Sequence, residues 1–471
     1  MRAGPRIYNL FPLLAGSIPD WEKHLPRIAA MGFDWVYLNP FHYPGFSGSL
    51  YAVKEYDRLN PLFESGDDPP DAQLKRFLEQ AEAHGLSVMM DLVINHTSKD
   101  SALASQHPEY FVRETDGSVR SPSATNPADA SEVTVWGDLA EIDYSPRPER
   151  EALVATWRDL VRHYRALGFH GFRCDAAYKV PGEVWAQVIE AAREQGETLF
   201  SAETLGGRLE EVEQLHSAGF DYLFNSGMWW DFREDWLLEQ YQTFRRIAPS
   251  IAFPESHDTP RLAATLAEKG IVDPKDLEAH YRLHYLFAAF FSSGVLMPIG
   301  FEFGFRRPLD VVETHPDHWE EPLFDLSGFI TEANRMKAAS PPLNQEGPQE
   351  RLTDPANPVV ALLRRMDEGE GWVLALIHPD RGDPAEVALQ DLLQAAGLST
   401  EGLREITPDR PGEGCDGDGN ADMEPAGQAG PFQIRLDPVS MRLFEGGMAH
   451  PDAPSEAPPK EEGDTNTSSE G

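Results

Sequence analysis

Short, nearly unbroken apolar runs punctuate the first 340 residues, and between them apolar positions recur at three- and four-residue spacing. The runs fall at 6–12 (RIYNLFP), 33–40 (FDWVYLNP), 86–95 (LSVMMDLVIN) and 168–176 (GFHGFRCDA). They continue at 197–204 (ETLFSAET), 220–226 (FDYLFNS), 250–258 (SIAFPESHD) and 294–302 (GVLMPIGFE). Amphipathic stretches such as Asp71 to His84 and Glu149 to Leu167 lie between them. Strands buried on both faces read as continuous apolar runs, so this alternation predicts a parallel sheet covered by helices. Eight such units predict an α/β fold closed into a (β/α)8 TIM barrel.

Two departures from the alternation divide the chain. Residues 97–148 are polar and rich in Pro, Asp and Ser, too long for a turn, and predict an inserted excursion after the third strand. Near Ala339-Ser-Pro-Pro342 the pattern changes to alternating runs at Val359–Arg365, Gly371–His378, Phe432–Leu436 and Ser440–Phe444, as in a C-terminal antiparallel β domain. The expected organisation is a catalytic barrel over 1–96 and 149–340, an inserted subdomain over 97–148, a β domain over 341–446 and a disordered tail over 447–471. Within 409–430 the run Asp416-Gly-Asp418-Gly-Asn420-Ala-Asp422 has the look of a calcium loop. It lacks the glycine at position six and the glutamate at position twelve, and reads as a solvated acidic loop.

Charge narrows the function classes. Acidic residues number 78 against 40 basic ones, a net charge of −38 in 471 residues, and they are spread along the chain. Such a surface repels phosphates and anionic membranes, so neither nucleic acid nor membrane is expected as a partner. Self-repulsion on this scale is relieved by salt, which suggests a salt-adapted protein. No run approaches the roughly 18 apolar residues of a membrane span. The N-terminus enters the first strand with no signal-like segment, so a cytoplasmic protein is expected. Two cysteines, Cys174 and Cys415, make no disulfide scaffold, and Cys174 reads as a buried small hydrophobe.

In such a barrel the reactive groups lie at the C-terminal ends of the strands. The third strand ends Asp91-Leu-Val-Ile-Asn95-His96, the fourth Arg173-Cys174-Asp175, the fifth Ala202-Glu203 and the seventh Glu255-Ser256-His257-Asp258. Arg173 and Asp175, two apart, share a strand face, and the cation favours the ionised carboxylate that a nucleophile needs. Glu203 has apolar neighbours that raise a carboxyl's pKa and suit an acid. Two carboxyls in different protonation states are what retaining cleavage of a glycosidic bond requires. Glu255 shares its strand end with Asp258 and is the competing acid there. Glu302 ends the eighth run and is a candidate for lining the outer site, and Trp229-Trp230 is either a sugar platform or barrel packing.

The segments DLVINH, GFRCDA, AET and ESHD, in this order, resemble the four short conserved segments of the α-amylase superfamily, and the likeness runs from about residue 6 to 445. The resemblance implies Asp175 as nucleophile, Glu203 as general acid/base and Asp258 as transition-state stabiliser. It further implies that Arg173 orients the nucleophile and that Tyr51, His96 and His257 bind the glucosyl ring. Asp91 and Asn95 would support the site, with Asn95 the one candidate calcium ligand and no organic cofactor required. The family often has aspartate after the stacking tyrosine, whereas Ala52 stands here. Substrates would be α-glucans or malto-oligosaccharides.

A closer resemblance is to bacterial maltosyltransferases that use maltose-1-phosphate. It lies in Arg6-Ile-Tyr-Asn-Leu-Phe-Pro12, His107-Pro-Glu-Tyr-Phe111 and Gly300-Phe-Glu-Phe-Gly304. Those enzymes place asparagine after the nucleophile and lysines after an Asn-Pro in the excursion. This chain has Ala176 and the acidic run Asn126-Pro-Ala-Asp-Ala-Ser-Glu132, which leaves Arg120 and Lys179 as the cations available to a phosphate. The reading is therefore of an enzyme that cleaves or transfers α-1,4-glucosidic bonds through a glycosyl-enzyme. The phosphate-donor maltosyltransferase stands as the alternative, and a non-catalytic carbohydrate-binding subunit as a remote one.

Overall fold

The computed structural model describes residues 3–126, 129–408 and 433–447. The acidic loop within 409–430, Cys415 and the expected tail beyond residue 447 lie outside the described residues. Eight parallel strands close a barrel: β1 (Arg6–Asn9), β2 (Trp35–Leu38), β3 (Ser87–Leu92), β4 (Gly171–Cys174), β5 (Leu199–Ala202), β6 (Tyr222–Phe224), β7 (Ser250–Ala252) and β8 (Gly294–Pro298). Each pairs with its neighbours in sequence, and β1 pairs with β8 to close the ring. All eight sit within the apolar runs but are shorter than them. The first run stops early because Pro12 opens a helical turn, Pro12–Ala15.

Alternation within the strands sorts side chains between two cores. Ile7, Trp35, Tyr37, Met89, Leu199, Tyr222, Phe224, Ile251, Phe253 and Leu296 fill the barrel as one cluster. Their neighbours Tyr8, Val36, Met90, Phe172 and Phe200 face outward into the larger core beneath the helices. The helix Glu149–Leu167 occupies its expected span and buries Leu153, Val154, Trp157, Val161 and Tyr164, a three-and-four spacing. It ends where Gly168 takes φ 119°, as a helix C-terminus favours. No helix among the described residues is long and apolar enough to cross a membrane.

Two excursions rise from the active end. After β2, a hairpin of His42–Pro44 and Val53–Leu59 carries Tyr51 in its connection, an element the apolar pattern did not announce. After β3, His96–Ser98 pairs with Leu139–Glu141, and Ser123–Asn126 pairs with Asp129–Val135. The C-terminal sheet is antiparallel and five-stranded, in the order Gln349–Arg351, Val360–Arg365, Trp372–His378, Ser440–Gly446, Arg404–Glu405. A separate pair joins Ala385–Ala388 to Gln433–Leu436.

Two buried cations and a half-buried carboxylate join this sheet to the opposite end of the barrel. Arg364 donates to the carbonyls of Pro342, Phe290 and Gln345 and to Ser293 Oγ. Lys337 Nζ donates to the carbonyls of Ala289, Ser292 and Leu343 at 2.7–2.9 Å. Glu346 accepts from Ser250 N and Ser293 Oγ at 2.8 Å and from the Tyr241 hydroxyl.

Candidate active site

The register places Asp91, Arg173 and Ser201 side by side across β3, β4 and β5. Arg173 is almost fully buried and is the hub of the site. Its Nη1 donates to both oxygens of Asp91 at 3.0 and 2.9 Å and to Asp175 Oδ1 at 2.9 Å. Its Nη2 lies 3.0 Å from Glu203 Oε2. One cation thus faces three carboxylates.

The carboxyls respond to this imbalance. Burial, then repulsion from Glu203, raises Asp175 to about 7 despite Arg173 beside it. Arg173 acts in the expected direction, lowering the carboxyl, and burial outweighs it. Burial also raises Glu203, with Arg173 opposing and Asp258 adding to the rise. The two carboxyls therefore titrate as a coupled pair, each raised by burial and by its negative neighbours. A second hydrogen bond holds Glu203: the Ala176 N–H donates to Oε2 at 2.8 Å. Ala176 adopts φ 39° and ψ 49°, the left-handed region, to aim that N–H.

The wall opposite Glu203 is a polar network on β2 and its hairpin. Tyr37 and Tyr51 hydroxyls donate to Asp91 Oδ2 at 2.5 and 2.7 Å, and Asn39 Nδ2 donates to Tyr51 at 3.0 Å. Tyr51 Oη lies 2.7 Å from His257 Nε2, and the two rings are parallel with centroids 5.6 Å apart. The same His257 nitrogen is 2.9 Å from Asp258 Oδ2. Asp258 stands at the open lip with its side chain 55% exposed. Partial removal from water would raise its carboxyl, but His257, by charge and hydrogen bond, and then Arg173 lower it. His96 Nε2–H donates to the Tyr51 carbonyl at 3.1 Å, and burial lowers its pKa against the pull of Asp175. A cavity of about 450 Å³ borders Asp258, with His257, Thr259, Arg306 and Asp310 in its lining.

Seven expected residues, Tyr51, Asp91, His96, Arg173, Asp175, Glu203 and His257, therefore meet at one barrel mouth, with Asp258 at its edge. Tyr37 and Asn39 went unanticipated, although polar residues two apart at the end of β2 (Tyr37-Leu-Asn39) are the strand-end signal that marked the others. Three competing readings resolve by side-chain direction. Glu255 is fully buried on Arg261 Nη1 at 2.7 Å and the Leu262 N–H, away from the mouth. Glu302, instead of lining an outer site, is buried on the Tyr8 hydroxyl, Arg27 and the Gly300 N–H. Trp230 packs on Phe287 and Phe232 in the core, whereas Trp229 is half-exposed.

Asn95 Oδ1 is buried without a hydrogen-bond partner. A calcium site takes about six to eight oxygens, commonly including several carboxylates. Among the described residues no group of three or more acidic, imidazole or thiol side chains is arranged to hold a metal ion, so the side chains present do not fit such a cage. The two cations considered for a phosphate are both engaged. Arg120 is bidentate on Glu141 at 2.7 Å, and Lys179 lies 3.7 Å from Glu211.

Comparison with known proteins agrees with this geometry. Residues 6–115 match a family profile described as the glucanotransferase domain of glycogen debranching enzyme. An α-1,4-glucan:maltose-1-phosphate maltosyltransferase of Burkholderia pseudomallei is 30% identical over 394 residues, covering 82% of this chain and 34% of that protein. One from Myxococcus xanthus is 26% identical, covering 85% of this chain and 62% of its own. The chain thus spans between a third and two thirds of these relatives. Among solved structures, an α-amylase from Lactobacillus plantarum superposes with a TM-score of 0.68 at 22% identity, covering 94% of this chain and 98% of that one. The α-amylase of Geobacillus thermoleovorans gives 0.70 at 15% identity, covering 94% and 99%. In fold the chain is an α-amylase-type (β/α)8 barrel, and in sequence it is related to the maltose-1-phosphate maltosyltransferases.

Proposed function

We propose that this protein is an enzyme that cleaves or transfers α-1,4-glucosidic bonds of α-glucans by retaining double displacement. The observation that carries the reading is the Arg173 hub, which holds Asp175 and Glu203 on its two terminal nitrogens. In the first step an ionised Asp175 oxygen attacks the anomeric carbon while Glu203 gives its proton to the departing oxygen. The product is a glycosyl ester on Asp175. In the second step Glu203 takes a proton from water or a sugar hydroxyl, whose oxygen attacks the same carbon and frees Asp175. Asp258 is the charge facing the oxocarbenium-like centre, and Tyr51, His96 and His257 hold the ring. The same reading places the protein in the cytoplasm.

A second reading, maltosyl transfer from maltose-1-phosphate, is favoured by the names of the sequence relatives. The engagement of Arg120 and Lys179 by carboxylates argues for a donor without phosphate. Product analysis in high salt with maltoheptaose, with and without maltose-1-phosphate and with Asp175→Asn as control, separates the two. Shortened or disproportionated oligomers from maltoheptaose alone support the first reading. Growth in two-glucose steps only with the phosphate donor replaces it with the second. No Asp175-dependent product in either arm rejects both.

A further inference from the structure

Glu255 does not reach the mouth, yet it stands at the foot of the loop that does. That loop, after β7, carries His257 and Asp258, and its two feet, Glu255 and Arg261, are joined side chain to side chain. Glu255 Oε1 accepts from Arg261 Nη1 at 2.7 Å, and its Oε2 accepts from the Leu262 N–H at 2.7 Å. Arg261 also reaches the residues that follow β8. Its Nη2 donates to the Ile299 carbonyl at 2.8 Å and its Nε to the Arg307 carbonyl at 3.1 Å. Both side chains are 1% exposed.

The span between the feet is stiffened from within. The Ser256 N–H donates to Thr259 Oγ1 at 2.9 Å, and that hydroxyl donates back to the Ser256 carbonyl at 3.2 Å. The Asp258 N–H donates to Ser256 Oγ at 3.2 Å. Asp258 projects from this span with its side chain more than half exposed, so where the carboxylate stands is decided by where the loop stands. Arg261 and Asp258 line the same cavity as Arg306 and Asp310, which come from the loop after β8. The clasp thus sets two walls of that cavity against each other.

A buried ion pair is a poor device for stability alone, because apolar side chains of similar volume often serve a fold as well or better. What a guanidinium adds is direction. A planar fork of fixed donors, shared among one carboxylate and two carbonyls on two loops, is satisfied by one arrangement of those loops.

We propose that Glu255 and Arg261 are positioning residues for Asp258. Their clasp holds the loops after β7 and β8 in the register at which Asp258 faces the charge developing at the anomeric carbon. The proposal rests on the retaining mechanism above and supplies the device that places its third carboxylate.

The test reads fluoride release from α-maltosyl fluoride together with the binding of two ligands. One is 1-deoxynojirimycin, whose protonated ring nitrogen carries positive charge as the transition state does; the other is maltose, which carries none. The paired variant Glu255→Gln with Arg261→Met removes both charges at once, leaves no lone ion buried and still offers an oxygen to the Leu262 N–H. Its kcat is expected to fall about a hundredfold, with KM within about twofold of the wild type. Affinity for 1-deoxynojirimycin should fall with kcat, while affinity for maltose holds. Arg261→Lys keeps a cation on Glu255 but loses the fork, and should retain about a tenth of the wild-type kcat. A folded paired variant with wild-type kcat, or with both ligand affinities falling alike, overturns the positioning role. If the paired variant does not fold, Arg261→Lys decides, and wild-type kcat with wild-type 1-deoxynojirimycin affinity overturns the proposal. Turnover undiminished in Asp258→Asn also overturns it, with Asp175 and Glu203 untouched. Wild-type protein without Asp175-dependent fluoride release is a separate outcome, which rejects the retaining mechanism itself and the proposal with it.

Discussion

The barrel buries a charged cluster at each end, and they are built on opposite terms. At the lower end Lys337, Arg364 and Glu346 are surrounded by carbonyls, hydroxyls and an amide, so that the donors and acceptors of each are matched by dipoles. At the upper end Arg173 alone offsets Asp91, Asp175 and Glu203, with Asp258 close by. Both clusters carry the desolvation cost of buried charge. The lower one spends it on fixing the C-terminal sheet to the strand ends. The upper one is left with excess negative charge, open to solvent on one side. What separates a structural from a reactive cluster here is what meets each charge, dipoles at the lower end and like charges at the upper, not its burial.

The sharpest break in that comparison comes from removing the central cation of each end. Arg173→Met leaves three carboxylates without their partner and is expected to cost about 3–5 kcal/mol. Activity should fall at least about a thousandfold, since nucleophile and acid lose their common anchor. Lys337→Met strips one donor from three carbonyls and is expected to cost about 2–3 kcal/mol, with kcat of the folded enzyme unchanged. Chemical denaturation with parallel rate measurements checks both. A Lys337 variant that loses kcat at full stability would erase the distinction between the two ends.

The imbalance also makes the nucleophile a burden on stability. Asp175 titrates near 7 in the folded chain and near 3.8 when exposed, so between those values the folded state holds more protons. The contribution of this group to stability is therefore present below pH 3.8 and is lost as pH rises through 7. Asp175→Asn should abolish turnover yet raise stability at pH 8, a gain that shrinks to nothing near pH 4. Thermal unfolding across that range reads it directly. The wild-type kcat/KM should be bell-shaped, because the pair works only with one proton between its two carboxyls.

The upper cluster was legible in the chain because the barrel gives a rule for where to look. Apolar runs locate the strands, and the polar residues at their C-terminal ends become candidates; Asp91, Arg173, Asp175 and Glu203 all follow from it. Glu255 and Glu302 satisfy the same rule and differ only in which way their side chains turn. That depends on Arg261 and Arg27, which no local pattern links to them. The lower cluster was illegible for a related reason. Lys337 lies in an ordinary amphipathic helix and Arg364 in an alternating strand, and their shared surroundings exist only once barrel and sheet are packed. The hairpin bearing Tyr51 was missed because its strand Val53–Leu59 is largely polar.

The smallest expected effect tests whether the upper end stores backbone strain as well as charge. Among the described residues Ala176, Phe232 and Val439 are the non-glycine residues with positive φ, and only Ala176 holds a candidate catalytic carboxyl by its N–H. A left-handed conformation costs an ordinary L-residue roughly 1 kcal/mol, whereas asparagine visits it several-fold more often. Ala176→Asn is therefore expected to stabilise by about 0.5 kcal/mol, with the Glu203 bond and the acidic limb of the pH profile unchanged. Ala176→Val, β-branched and ill-suited to positive φ, should destabilise and shift the Glu203 titration as the N–H turns away. If Asn and Val behave alike, the turn after the nucleophile is held by its surroundings at no cost to Ala176. The tension at this end of the barrel is then electrostatic alone.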